Sequence, residues 1–322
     1  MRPRATVLLP VLLALLGAVA GCSPAPTEPL RVASSPWPGY EPIYLARDLG
    51  YLDPERVVCF ELPSSGVGYE AFRNGSADVA TMTLNRFLEL LHGGVQARAV
   101  SVLDYSFGAD AAMAVPAVRT LADLKGRRVA VGSFAVGGGM LLTRMLELAG
   151  LTREQVIVEV IPEDQHEIAY RQGRIDVFMT YEPFKGRLAA LGAHSIFDSR
   201  SLPRQIVDLM VVREEAFQSR PDDVCELVRQ RQRAADYLRR QPGDGNARVA
   251  RRLGMPPQDF ARMLDGLVLP SAEENLHMLA GAQPELVEHA QRVDELMASF
   301  EHWQQPVDVR GHLFPGIGAC LP

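Results

Sequence analysis

Hydrophobic positions recur along this chain in two alternating rhythms. Short apolar runs of strand length fall at residues 30–34, 57–62, 77–81, 95–103 and 111–115. Between them lie stretches whose apolar positions repeat at helical spacing, at 41–50, 66–74 and 84–91. After Pro116 the alternation restarts: a helical turn at 121–125, strands at 127–131, 156–161, 175–179, 194–197 and 206–212, and helices at 137–149, 164–172 and 182–191. From residue 214 onward the pattern is helical, at 214–219, 221–240, 244–253, 257–264, 272–280 and 284–302. Pro and Gly punctuate the junctions. Strands and helices alternating at this spacing predict an α/β fold with largely parallel sheets. The helical tail needs a surface to pack against, and the first α/β unit is the simplest one. The expected organisation is therefore residues 30–115 with 214–322 as one lobe, 116–213 as the other, and chain crossings near 115–120 and 207–213. Two extended crossings make a hinge, and a hinge makes a cleft. Ligands in such folds sit beyond the carboxyl ends of strands, so the residues just after each strand are the site candidates.

The first 22 residues follow another pattern. Arg2 and Arg4 precede an almost wholly apolar run at residues 7–19, too short to span a bilayer and flanked like a signal peptide. Val19-Ala20-Gly21-Cys22 resembles a bacterial lipobox, in which the cysteine is lipidated and becomes the mature N-terminus. Residues 23–29, rich in Pro, Ser and Thr, would then be a flexible tether. An ordinary secretory signal with an incidental cysteine is the plainer alternative. Either way the expected place is outside the cytoplasm, held at a membrane surface through Cys22 if the lipobox is used.

Composition adds exclusions. The 322 residues carry a net charge of -6, with no basic run to suggest a nucleic-acid groove. Three cysteines remain beyond the leader, Cys59, Cys225 and Cys320, enough for one bridge and one free thiol, with the pairing open. Without a C-x-x-C or a Cys/His cluster, neither a metal nor a cofactor is expected. His289 and His302 are expected on solvated helix faces.

The stretch that organises the rest is the strand 127–131, the small-residue turn 132–139 and the helix start that follows. Such a turn aims unpaired backbone N–H groups and the positive end of a helix dipole at whatever sits above it. Ser133, Phe134, Ala135, Val136 and Gly137 are candidate contacts to an anionic or carbonyl oxygen; the dull reading is a tight turn that needs only small residues. The glycines do not match the G-x-G-x-x-G spacing, and no Lys-Ser/Thr pair follows to make a phosphate loop. Trp37 and Tyr40, on a Pro/Gly turn after the first strand, can stack on a flat ligand or cage an ammonium group, or simply cap the core. Asn85 follows the third strand, where an amide can donate and accept, or cap a helix. Ser106 and Asp110 flank the turn 104–110, where Asp110 can instead bond its own turn. Glu182, directly after a strand, and Asp208, at the second crossing, would favour a cationic or amine-bearing solute; the alternative for Glu182 is to complement a helix N-terminus.

Several segments together resemble the extracytoplasmic solute-binding proteins of ABC importers, in the nitrate/sulfonate/taurine group that also contains the thiamine-precursor (THI5-like) proteins. They are Trp37-Pro38-Gly39-Tyr40-Glu41-Pro42, Gly75-Ser76-Ala77-Asp78-Val79-Ala80, Ser106-Phe107-Gly108-Ala109-Asp110, Leu124-Lys125-Gly126-Arg127-Arg128-Val129-Ala130, Gly173-Arg174-Ile175-Asp176-Val177 with Tyr181-Glu182-Pro183-Phe184, and Leu209-Met210-Val211-Val212-Arg213. The resemblance implies a type II periplasmic-binding fold, capture of a small solute between two lobes without catalysis, and delivery to a membrane permease by what is expected to be a monomer. The carboxylates lean the solute toward a zwitterionic or aminated metabolite. A ligand-sensing lipoprotein that signals to a membrane receptor, kinase or cyclase is the first alternative. A THI5-like biosynthetic enzyme is a lesser one, since no compact set of titratable groups or metal cluster is visible.

Overall fold

The computed structural model describes residues 28–133, 137–301 and 306–322. The expectations for residues 1–22, Cys22 included, for Phe134, Ala135 and Val136, and for His302 fall outside these.

Eleven strands form two sheets among the described residues. β1 (Leu30–Ser34) is parallel to β2 (Val57–Glu61) and to β3 (Val79–Thr83). β4 (Ala97–Ser106) belongs to the same sheet, while β5 (Ala111–Ala114), four residues later, belongs to the second. In that second sheet β6 (Arg128–Val131) lies between β7 (Ile157–Val160) and β8 (Val177–Thr180), parallel to both. β5 pairs antiparallel with β8 and with β9 (His194–Asp198). β10 (Val207–Arg213) returns to the first sheet, antiparallel to β3 and β4, and the two-residue β11 (Leu267–Val268) extends its edge.

The chain therefore leaves the first sheet after Ser106, ahead of the expected 115–120, and re-enters it at Val207, within the expected 207–213. The reason lies in burial. The Ala-Ala-Met-Ala run of β5 is buried throughout, as an inner strand must be, and it finds that place between β8 and β9. β10 is buried from Val207 to Val212 for the same reason, between β3 and β4. β5, β10 and β11 run against the other strands, so each largely parallel sheet carries an antiparallel insertion.

Local chemistry starts the helices that flank the cleft. Ser64 caps Ser65–Arg73 by accepting from the Val67 N–H at 3.4 Å, and Thr83 caps Leu84–His92 by accepting from the Arg86 N–H at 3.3 Å. Ser271 and Glu274 make a reciprocal capping box at Ala272–Leu279. The helical tail covers the first sheet and its helices. Pro221–Arg240 packs on Glu41–Asp48, Ala272–Leu279 on β4, and Glu285–Glu301 on Leu84–His92. Cys225 and Cys320 form a disulfide that fastens the chain end to the long helix, leaving Cys59 as a half-buried free thiol. His289 is buried against this packing and bonds Glu285 at 3.2 Å, so it does not lie on a solvated face. No helix among the described residues is long and apolar enough to cross a membrane.

Candidate functional site

Between the sheets lies a cleft with about 470 Å³ of empty space, mouth included. From the first sheet come Trp37 and Tyr40, on the turn after β1, and Asp208, the second residue of β10. Thr83 closes β3 and Arg86 follows one turn into its helix. From the other side come Asp110, just ahead of β5, Gly137 at the start of the helix Gly137–Ala149, and Tyr181, one residue past β8.

The aromatic residues are held rather than loose. Trp37 donates from Nε1 to both oxygens of Asp104, at 3.1 and 3.0 Å, and the Tyr40 hydroxyl donates to Oδ1 of Asp208 at 2.9 Å. Gly39 makes room for this: a methyl group there would fall 1.9 Å from Oδ2 of Asp104. Trp37 meets Tyr40 at 6.4 Å on its own side and Tyr181 at 5.7 Å across the cleft. The wall is thus an aromatic box with phenol and indole edges tied to carboxyl groups.

Carboxylates dominate the electrostatics. Asp110 is buried, and burial pushes its carboxyl up to about 6 against the opposing pull of Ser106 and Lys185. Its Oδ2 has no hydrogen-bond partner among the described residues. Burial and the neighbouring Asp104 raise Asp208 well above the usual carboxylate range. Glu163, packed so closely over Gly132 that a methyl there would lie 2.0 Å from Oε1, is pushed up to about 7 by burial. Arg86 is the cationic counterweight; its guanidinium pairs with Glu89 at 2.5 Å, lies over the Tyr69 ring at 4.7 Å, and pulls Glu163 back toward ionisation. Helices beginning at Ser65, Leu84 and Gly137 present their N-terminal ends at the cavity, where partial positive charge collects. One cavity therefore holds acidic groups for a cation and positive groups for an anion.

The structure gathers five of the expected residues, Trp37, Tyr40, Asp110, Gly137 and Asp208, onto the cavity wall. Asp208 arrives there as the second residue of β10, where the chain re-enters the first sheet. Four others stand elsewhere. Asn85 is buried within its helix, because Thr83 both ends the strand and caps the helix and leaves no turn between. Ser106 is buried in the crossing, where Oγ bonds Ser199 Oγ at 2.8 Å and accepts the Asp110 N–H at 3.1 Å. Glu182 complements a helix start: it accepts the Gly186 N–H at 3.1 Å and pairs with Lys185 at 3.6 Å. Ser133 is half-buried in the Gly-rich turn and off the cavity wall. Arg86, Tyr181, Thr83 and the buried pair Asp104 and Glu163 were not anticipated. Tyr181 had a signal, since it directly follows a strand. Asp104 had the same signal, standing directly after the predicted strand 95–103, although the structure carries β4 through it to Ser106. Among the described residues no group of three or more His, Cys, Asp or Glu is arranged to hold a metal ion.

Two mixed α/β sheets joined by two crossings, with a helical tail on the first, constitute the type II periplasmic-binding fold. The profile of the NMT1-like family matches residues 23–254, and the chain belongs to that family. Similar solved structures include the periplasmic aliphatic sulphonate binding protein SsuA from Escherichia coli, at a TM-score of 0.72 and 20% identity over 89% of this chain and 97% of that one. The alkanesulfonate-binding protein SsuA from Xanthomonas axonopodis pv. citri, bound to MOPS, aligns at 0.73 and 19% over 90% and 100%. The desulfurization enzyme DSZB aligns at 0.64 and 16% over 90% and 97%. At these identities the likeness is one of fold. No curated protein matches the sequence.

Proposed function

We propose that the protein captures a small amine-bearing or zwitterionic solute between its lobes, outside the cytoplasm, and delivers it to an ABC importer. The observation that carries this reading is the placement of Asp110 and Asp208 in one cavity with Trp37, Tyr40 and Tyr181. An ammonium group in that box gains both carboxylate pairing and attraction to the ring faces. Arg86 and the helix N-termini suit a carboxylate or sulfonate at the other end of the same solute. The SsuA proteins are described as binding sulfonates; two buried acids in this cavity weigh against a plain alkyl sulfonate here.

The mechanism is closure without chemistry. Solute contacts from both lobes favour the closed form, and the permease reads closure. The cavity wall of aromatic rings and carboxyl groups suits the holding of a solute, which supports a binding role, although the similar structure DSZB is that of an enzyme. Lipidation of Cys22 would hold the monomer at the membrane beside its permease. A sensing role would use the same site, and the genes beside this one, permease and ATPase or receptor alone, distinguish the two.

The test is a thermal-shift panel at pH 8 with taurine, glycine betaine, tetramethylammonium and ethanesulfonate. The expected result is a rise in melting temperature with the zwitterions or the cation. A rise with ethanesulfonate alone contradicts the reading.

A further inference from the structure

β4 and β10 run antiparallel and set Asp104 and Asp208 opposite one another. Both residues are buried, at 0% and 2% exposure, so two acid side chains share one dry place between the strands. Two carboxyl groups set opposite one another in a buried place resist ionising together, so the pair keeps one proton between its members. Each carboxyl has one further donor, Trp37 Nε1 on Asp104 and the Tyr40 hydroxyl on Asp208. The other groups facing the pair are Tyr105 on β4, Asp110 ahead of β5, Tyr181 beyond β8 and Arg231 on the helix Pro221–Arg240. Arg231 is fully buried and its guanidinium bonds the Leu103 carbonyl and Gln232; its charge draws Asp104 toward ionisation, while burial acts the other way and outweighs it. Of the two acids, only Asp208 lines the cavity.

We propose that Asp104 is a specificity-determining residue one layer behind the solute: by sharing a proton with Asp208 it makes the pair offer the cavity a single negative charge, matched to a head group with one ammonium charge and not to a dication. This rests on the cleft being a site for an amine-bearing solute. Burial holds both carboxyls above their ordinary range, and repulsion from Asp104 adds to it on Asp208. When the pair still carries two protons, entry of the cation releases one of them to solvent; when it carries one, none is released. Asp104 also fixes the indole that forms the wall of the box, so it positions Trp37 as well as the charge.

The experiment uses the full-length chain without a ligand, then with two probes. Carbon-13 NMR of the aspartate carboxyls should show one of the two still protonated at pH 7 in the wild type. In thermal-shift titrations, n-butylammonium should bind at least as tightly as butane-1,4-diammonium. Its apparent affinity should fall several-fold from pH 8 to pH 6 in the wild type, and by less in Asp104→Asn, which supplies an N–H where the wild type needs the proton. Ordinary titration of both carboxyls below pH 5, or an unchanged pH profile in Asp104→Asn, would overturn the inference. A shared proton with neither ammonium binding at either pH would overturn instead the amine reading of the cleft, and with it the role given to Asp104.

Discussion

The rings of Trp37 and Tyr181 meet edge to face, 5.7 Å between centroids and 78° between planes, although one follows β1 and the other β8 in the opposite sheet. Such a pair contributes about 0.5–1.5 kcal/mol beyond its area. It is a contact that exists only when the lobes are together. Tyr181→Ala should therefore open the unliganded protein and weaken solute binding, up to about tenfold for each 1.4 kcal/mol lost. Small-angle scattering should report a larger radius of gyration for the variant without solute; an unchanged radius would place the contact outside the closing motion.

Trp37 has two duties, and they separate by substitution. Phenylalanine keeps a ring but removes the Nε1 donor, leaving Asp104 short of a partner in a buried place. The cost should be about 1–3 kcal/mol, seen as a lower melting temperature with the fold retained. Alanine removes a buried indole and should cost about 3–5 kcal/mol. Equal stability of wild type and Trp37→Phe would mean that the indole bond contributes nothing.

Glu163 makes stability depend on pH with a defined sign. In the folded chain its carboxyl holds its proton to about 7, while the unfolded chain releases it near 4.5. Between those values the folded state binds more protons, so stability falls as pH rises through the window. Glu163→Gln abolishes that fall and should gain on the order of 2 kcal/mol relative to wild type between pH 4.5 and pH 7. His166 works the other way: burial keeps its imidazole neutral down to about 4, so its contribution is present above 6.5 and lost as pH falls. The difference between variant and wild type isolates Glu163. Parallel denaturation curves across the window would contradict its assignment.

The disulfide joins residues separated by 95 positions. Closing a loop of that length restricts the unfolded chain by about 4–5 kcal/mol in the chain-entropy account. Reduction, or Cys225→Ser with Cys320→Ser, should lower the denaturation midpoint markedly while Cys59→Ser leaves it nearly unchanged. A midpoint insensitive to reductant would show that the bridge adds nothing to helix packing.

What the sequence disclosed follows the range of its signals. Strand and helix periodicity is local, so the elements and the two-unit plan were legible. Sheet membership is not local. β5 follows β4 after a short turn and reads as its hairpin partner, yet its small, wholly buried side chains pair with β8 and β9. The rule that ligands meet residues just beyond strands singled out Trp37, Tyr40 and Gly137, which stand on the cavity wall. It stopped one helical turn short of Arg86, which reaches the cavity from inside a helix. Glu182 obeyed the rule by position and broke it by direction, since its carboxylate turns back to the Gly186 N–H. Asp104 began the predicted turn 104–110, but the structure places it inside β4 with Asp208 of β10 opposite it.

The central claim, an amine-bearing solute held between the lobes by buried carboxylates, is tested most directly by mass spectrometry of what the protein retains. Wild type and Asp208→Asn would each be incubated with a bacterial metabolite extract, desalted and sprayed under native conditions. The expected result is one small molecule with a basic nitrogen on the wild type, absent or much reduced on the variant. A plain anion without nitrogen, retained equally by both, would contradict it.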